Sequence, residues 1–181
     1  MSLLSYTELC ELVEQGVINA PLENINGSSI DLTLSNSIRV ESNLGLNIDV
    51  DLFAKQSINT HEVIIGDEGY VLTPGSFILA SSVETFNLPD NIAAEFVLKS
   101  SQARNGWQHC NAGFCDQMWS NSQLTFEYYN VCNYHNLILR PGMKAGQIKF
   151  YKTTPVPHDK SYAIKGQYNN QSGATASLGI R

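Results

Sequence analysis

No apolar run in the sequence approaches the ~18 residues that a bilayer-spanning helix needs, which excludes a helical membrane protein. Positive charge is scarce: 11 Lys and Arg stand against 17 Asp and Glu, for a formal net charge of −6. Affinity for a phosphate backbone comes from clustered cations, so no nucleic-acid polymer is expected as a partner, and any anionic ligand must be small and locally held. The chain does not open on a basic segment followed by an apolar stretch and a small-residue cleavage site, so a cytoplasmic setting is expected. Cys-x-x-Cys is absent. The four cysteines, Cys10, Cys110, Cys115 and Cys132, are expected to be reduced, since 181 residues can bury a core without covalent staples. With 43% hydrophobic residues, the chain reads as one domain over 1–181.

What is present is mostly strand. One short helix is expected at the start, where Ser5 and Glu8 can form a capping box, Leu9, Leu12 and Val13 share a face, and Gly16 can end it. Afterwards Ile30, Leu32 and Leu34 alternate with Asp31, Thr33 and Ser35, and Ile38 and Val40 continue the pattern. Further short runs lie at 62–65, 70–72, 76–80, 92–98, 124–129, 136–139 and 147–151. Asn26-Gly27, Gly66-Asp67, Pro74-Gly75, Pro89-Asp90 and Pro141-Gly142 supply the reversals. The spacing of the turns predicts a mainly β barrel or sandwich. From Thr153 onward the composition turns polar and Gly-rich, and 160–181 reads as a mobile tail able to order over something.

Three groups of residues could carry chemistry. Lys99-Ser100-Ser101-Gln102-Ala103-Arg104-Asn105-Gly106 places two cations and two hydroxyls after a predicted strand, which suits phosphates and equally suits a solvated turn. Glu127 sits on the strand face of Thr125 and Tyr129, opposite Leu124, Phe126 and Tyr128. It is either an outward carboxylate or a general base, with Arg104 and Asp116 as possible neighbours. His109, Cys110, Cys115 and Cys132 are zinc-type ligands, but adjacent His109 and Cys110 would point to opposite sides of a strand, so no zinc site is expected. The His-x-Glu and Pro-Cys-x-x-Cys of a zinc nucleobase deaminase are also missing. A Cys-His nucleophilic pair has no distinguishing spacing.

Taken in order, Ile25-Asn26-Gly27-Ser28-Ser29-Ile30-Asp31-Leu32, Pro74-Gly75-Ser76-Phe77, Lys99 to Arg104, Thr125 to Asn130 with Arg140-Pro141-Gly142-Met143 and Gly146-Gln147, and Tyr168 to Ala174 resemble the dCTP deaminase branch of the trimeric dUTPase-like superfamily. The resemblance implies a distorted β-barrel or jelly-roll-like fold of dUTPase type with a short N-terminal helix. It implies a homotrimer with sites between subunits, and zinc-independent hydrolysis of dCTP to dUTP and ammonia. By the same resemblance Glu127 is the base, Arg104 orients it, and Ser100 with the carbonyl of Ala112 holds the attacking water. Lys99, Ser101, Gln102, Ala103, Asp116, Thr125, Phe126, Gln147, Tyr162, Lys165 and Gln171 contact the nucleotide, which arrives as its Mg2+ complex. Lys99 stands where the family more often has Arg, and Gln167 where it usually has Lys, with Lys165 close enough to substitute. Asp116 is followed by Gln117-Met118-Trp119-Ser120-Asn121-Ser122, one residue longer than the family pattern. The alternatives are a bifunctional enzyme releasing dUMP and diphosphate, a deaminase of a related deoxycytidine nucleotide such as dCMP, and a nucleotide-binding regulatory protein on the same scaffold.

Overall fold

The computed structural model describes residues 1–42 and 49–179. The helix α1 (Tyr6–Glu14) begins where the capping box places it: the Glu8 carboxylate accepts the Ser5 N–H at 2.9 Å and the Ser5 hydroxyl at 2.7 Å. Leu9 and Leu12 are its buried face. Among the described residues no helix is long and apolar enough to cross a membrane.

The remainder is mainly β. In chain order the strands are β1 (Ser2–Leu3), β2 (Ile30–Glu41), β3 (Thr60–Ile64), β4 (Tyr70–Leu72), β5 (Phe77–Asn87), β6 (Ile92–Val97), β7 (Trp107–His109), β8 (Phe114–Cys115), β9 (Ser120–Asn130), β10 (Leu137–Leu139) and β11 (Lys144–Lys152). Nine of them form one sheet, in the order β7-β9-β5-β2-β11-β6-β8 with β1 on β11 and β3 on β2, while β4 and β10 pair separately. The main sheet is strongly curled into a half-barrel. Strand β2 explains much of the curl. Residues 30–33 pair with β11, residues 37–41 pair with β3 on the edge that β11 has left, and β5 follows the opposite edge. Register shifts between Leu34 and Ile38 on β2 and between Ser81 and Thr85 on β5 add twist at the bend.

Through the second of these bulges the alternate positions Ile78, Ala80, Ser82, Glu84 and Phe86 stay buried, so a carboxylate occupies an inward position at 2% exposure while Val83 beside it is 51% exposed. The Glu84 carboxylate accepts the Thr33 N–H through both oxygens, at 3.2 and 3.0 Å, and so satisfies a backbone donor at the bend. Behind the sheet the core contains an aromatic column. Trp107, Tyr128, Phe126 and Phe96 follow one another at centroid separations of 4.4, 5.3 and 4.7 Å.

The segment read as a mobile tail is ordered along β9. A short helix, α3 (Tyr162–Lys165), follows a 3-10 turn at His158–Lys160. The chain then runs beside Ser120–Thr125, where Asn170 N–H donates to Ser120 O at 3.2 Å and Gln123 N–H to Gln171 O at 3.0 Å. Its last two positions, 180 and 181, lie outside the described residues.

Candidate functional site

Strand β9 alternates as read. Leu124, Phe126 and Tyr128 are buried, while Thr125 and Glu127 face a cavity of about 420 Å³. Thr60 from β3 and Phe77 and Leu79 from β5 form one wall, and Leu79 is the cross-strand partner of Glu127. Ala112, Phe114 and Cys115 come from the chain entering β8 and from β8 itself. The far wall is Trp119 with the tail residues Tyr162, Tyr168, Gln171 and Thr175. The tail is tied there by specific bonds: Trp119 Nε1 donates to Tyr168 O at 2.8 Å, Gln171 Nε2 to Gln123 O at 2.6 Å, and Thr175 N–H to Thr125 Oγ1 at 3.1 Å.

Burial in this largely apolar cavity raises the Glu127 carboxyl to about 7. A carboxylate in that range holds or releases a proton near neutrality, which is what a general base requires. Burial, reinforced by the charges of Asp116 and Glu127, pushes the Cys115 thiol up to about 12. Cys115 is therefore an apolar wall and no nucleophile at neutral pH. Among the described residues no three of His, Cys, Asp and Glu gather as metal ligands.

Ala112 depends on the residue after it. A Cβ on Gly113 would lie 2.5 Å from the carbonyl oxygen of Phe96, the acceptor of neither a flexible side chain nor a movable loop but of β6 itself. Gly113 O in turn accepts the Phe96 N–H at 2.8 Å. Gly113→Ala is expected to push β8 and Ala112 off β6, lowering the melting temperature by several degrees, about 2 kcal/mol of overpacking. A thermal melt superimposing on that of the parent protein would contradict this.

The sequence-derived residues fall into two sets. Glu127, Ala112, Thr125, Tyr162 and Gln171 share the cavity. Lys99, Ser100, Ser101, Gln102, Ala103 and Arg104 do not line it. Ser100–Ala103 form a single helical turn, α2, with Lys99 and Arg104 as its caps, beyond the end of β6. Among the described residues no ion pair joins Arg104 to Glu127 within one chain. Ser101 and Gln102 instead border a second cavity of about 320 Å³ with Trp107. Gln147 lies on β11, where its Oε1 accepts the Ser29 hydroxyl at 3.0 Å. Asp116 and Lys165 are exposed outside the main cavity. Phe126 does not line the cavity of its own chain: its side chain is 1% exposed in the aromatic column. Trp119 and Tyr168 were not singled out as site residues, because the signal is three-dimensional: the Trp119 N–H reaches a tail carbonyl 49 residues away.

Comparison with known proteins follows the same lines. The family model described as dCTP deaminase-like matches residues 3–153. A protein of Parafrankia sp. (strain EAN1pec) named dCTP deaminase, dUMP-forming, is 38% identical over 161 residues, covering 87% of this chain and 79% of that one. One of the same name from Dictyoglomus thermophilum is 34% identical over 187 residues, covering 97% and 93%. The crystal structure of a 2'-deoxycytidine 5'-triphosphate deaminase from Agrobacterium tumefaciens superposes with a TM-score of 0.64 at 21% identity. That match covers 82% of this chain and 47% of the solved one, and it supports the fold. From the family match and these relatives, the chain belongs to the dCTP deaminase-like family.

Proposed function

We propose that the protein hydrolyses the exocyclic amine of dCTP and carries the product on to dUMP and diphosphate. The observation that carries the deaminase reading is Glu127, a carboxylate raised to about 7 by burial in the wall of the main cavity. The second step is favoured over release of dUTP because the relatives named above are dUMP-forming enzymes.

In the first step Glu127 takes a proton from water, and the resulting hydroxide adds to C4 of cytosine. The same carboxyl delivers that proton to N3, then carries the hydroxyl proton of the C4 adduct to the departing nitrogen, so ammonia leaves and a C4 carbonyl forms. One carboxyl suffices because it works as base and then as acid. In the second step another water cleaves the α–β phosphoanhydride, giving dUMP and diphosphate. Ala112 supplies a carbonyl to the first water, and Thr125, Tyr162 and Gln171 contact the nucleoside.

Lys99, Ser100 and Ser101 bind the triphosphate and Arg104 orients the Glu127 carboxylate from a neighbouring copy in a homotrimer, which accounts for their place outside the cavity of their own chain. Gln147 and Lys165 add contacts, Asp116 serves the deoxyribose, and the triphosphate arrives as its magnesium complex. The test is to incubate the purified protein with dCTP, dCMP, dUTP and CTP, with and without Mg2+, and to identify products chromatographically. Ammonia, dUMP and diphosphate in equal amounts from dCTP are expected. Accumulation of dUTP would restore the single-step deaminase, and binding without turnover would make the chain a regulatory protein.

A further inference from the structure

The Asn26–Asp31 turn carries part of the family resemblance, yet none of it lines the main cavity. Its geometry shows a different task. Asn26 N–H donates to Ser29 O at 2.7 Å, closing the turn, and Asn26 Nδ2 donates to Asp31 Oδ1 at 2.8 Å. Asp31 therefore enters β2 with its carboxylate fixed. Across the sheet Asp31 stands opposite Gln147 on β11, and Gln147 opposite Val97 on β6, so Lys99, just beyond β6, reaches the same edge. The Lys99 ammonium donates to both Asp31 oxygens at 2.7 Å. The Ser29 hydroxyl holds Gln147 in the same way.

An ammonium has three N–H donors, and Asp31 takes two of them in a defined direction. The Asp31 side chain is only 11% exposed, so its charge needs this partner, and the pairing is not an incidental surface contact. A lysine held so has already lost the rotamer freedom that a phosphate contact would otherwise have to remove.

We propose that Asp31 is a positioning residue for triphosphate binding, fixing Lys99 so that its remaining N–H meets a phosphate oxygen. The proposal rests on the reading of Lys99 as a phosphate contact. It has an opposite with the same atoms: if Asp31 merely neutralised Lys99, removing its charge would free a cation and tighten binding.

The experiment measures KM and kcat for dCTP with full-length Asp31→Asn, Lys99→Met, Lys99→Arg and the double variant Asp31→Asn/Lys99→Met. Asp31→Asn is expected to raise KM about tenfold with kcat within about twofold. Lys99→Met should raise it at least as much, Lys99→Arg should restore binding, and the double variant should be no worse than Lys99→Met alone, because both substitutions break one chain of contacts. A purely structural Asp31 would lower kcat and stability and would add to Lys99→Met. If Asp31→Asn does not fold, Asn26→Ala replaces it, with a KM increase of about threefold that disappears in the Lys99→Met background. If Lys99→Met raises KM while Asp31→Asn leaves it unchanged or lowers it, the positioning role is overturned alone. If Lys99→Met changes nothing, the phosphate reading of Lys99 falls and the positioning role with it.

Discussion

Glu127→Gln is expected to lower the rate of deamination by at least about a thousandfold while leaving nucleotide affinity within about tenfold, because the amide keeps the shape and hydrogen-bonding reach of the side chain and loses only its basicity. In the parent protein kcat/KM should rise with pH through about 7, the value to which burial raises this carboxyl. The variant should lack that limb.

The same group has a signature in stability. Below pH ~4.5 the carboxyl is protonated in both folded and unfolded chains and contributes no difference. Between there and pH about 7 the folded protein keeps a proton that the unfolded chain has released, so stability falls as pH rises across the window. Glutamine removes that loss. Glu127→Gln should therefore melt several degrees above the parent protein at pH 8 and level with it at pH 4.5. Parallel melting curves at both pH values would show that the carboxyl is not desolvated, and parent-like turnover would end the mechanism.

Deleting residues 162–181 is the second large effect. The deletion removes Tyr162, Tyr168, Gln171 and Thr175 from the cavity wall, and kcat/KM for dCTP should fall by more than about a hundredfold. The polar composition of the tail suggests that the fold would be spared, but the structure argues otherwise. The deletion leaves Trp119 Nε1 without the Tyr168 carbonyl, Ser120 N–H without Asn169 Oδ1 at 2.8 Å, and Gln123 Oε1 without Gly173 N–H at 2.6 Å. With about 1 kcal/mol for each net hydrogen bond, loss of the set should lower the melting temperature by roughly 10 °C. A truncated protein with parent-like stability and parent-like use of dCTP would make the tail an ornament of the fold.

The parts of the molecule that were legible beforehand are those in which local pattern and tertiary demand agree. The alternation of Ile30, Leu32 and Leu34 survives because one face of β2 is buried along that run. Glu127 was legible for the same reason, its strand being regular and its neighbours Phe126 and Tyr128 committed to the core. The continuation of β5 past Ala80 was not, since the two-residue period of burial runs on through the polar Ser82 and Glu84 while the apolar Val83 between them faces outward. Strand β7 is too short to announce itself and exists through its pairing with β9 at Asn130, Tyr129 and Tyr128. The course of the tail along β9 was not legible because its affinity for that strand comes from backbone groups and amide side chains, which leave no trace in hydropathy.

The bond between Trp119 and the tail also bears on how the protein can be observed. The chain contains two tryptophans. Trp107 is 3% exposed, tilted at 58° against the Tyr128 ring, and borders the second cavity beside Ser101 and Gln102. Trp119, packed 5.2 Å from the Phe86 ring, has its indole N–H on the tail and its face on the cavity. The two indoles therefore report on different places: release of the tail should open Trp119 to water and shift its emission to longer wavelength, whereas Trp107 answers to the second cavity. Opening and closing of the site can be followed in solution by light alone, with no label attached.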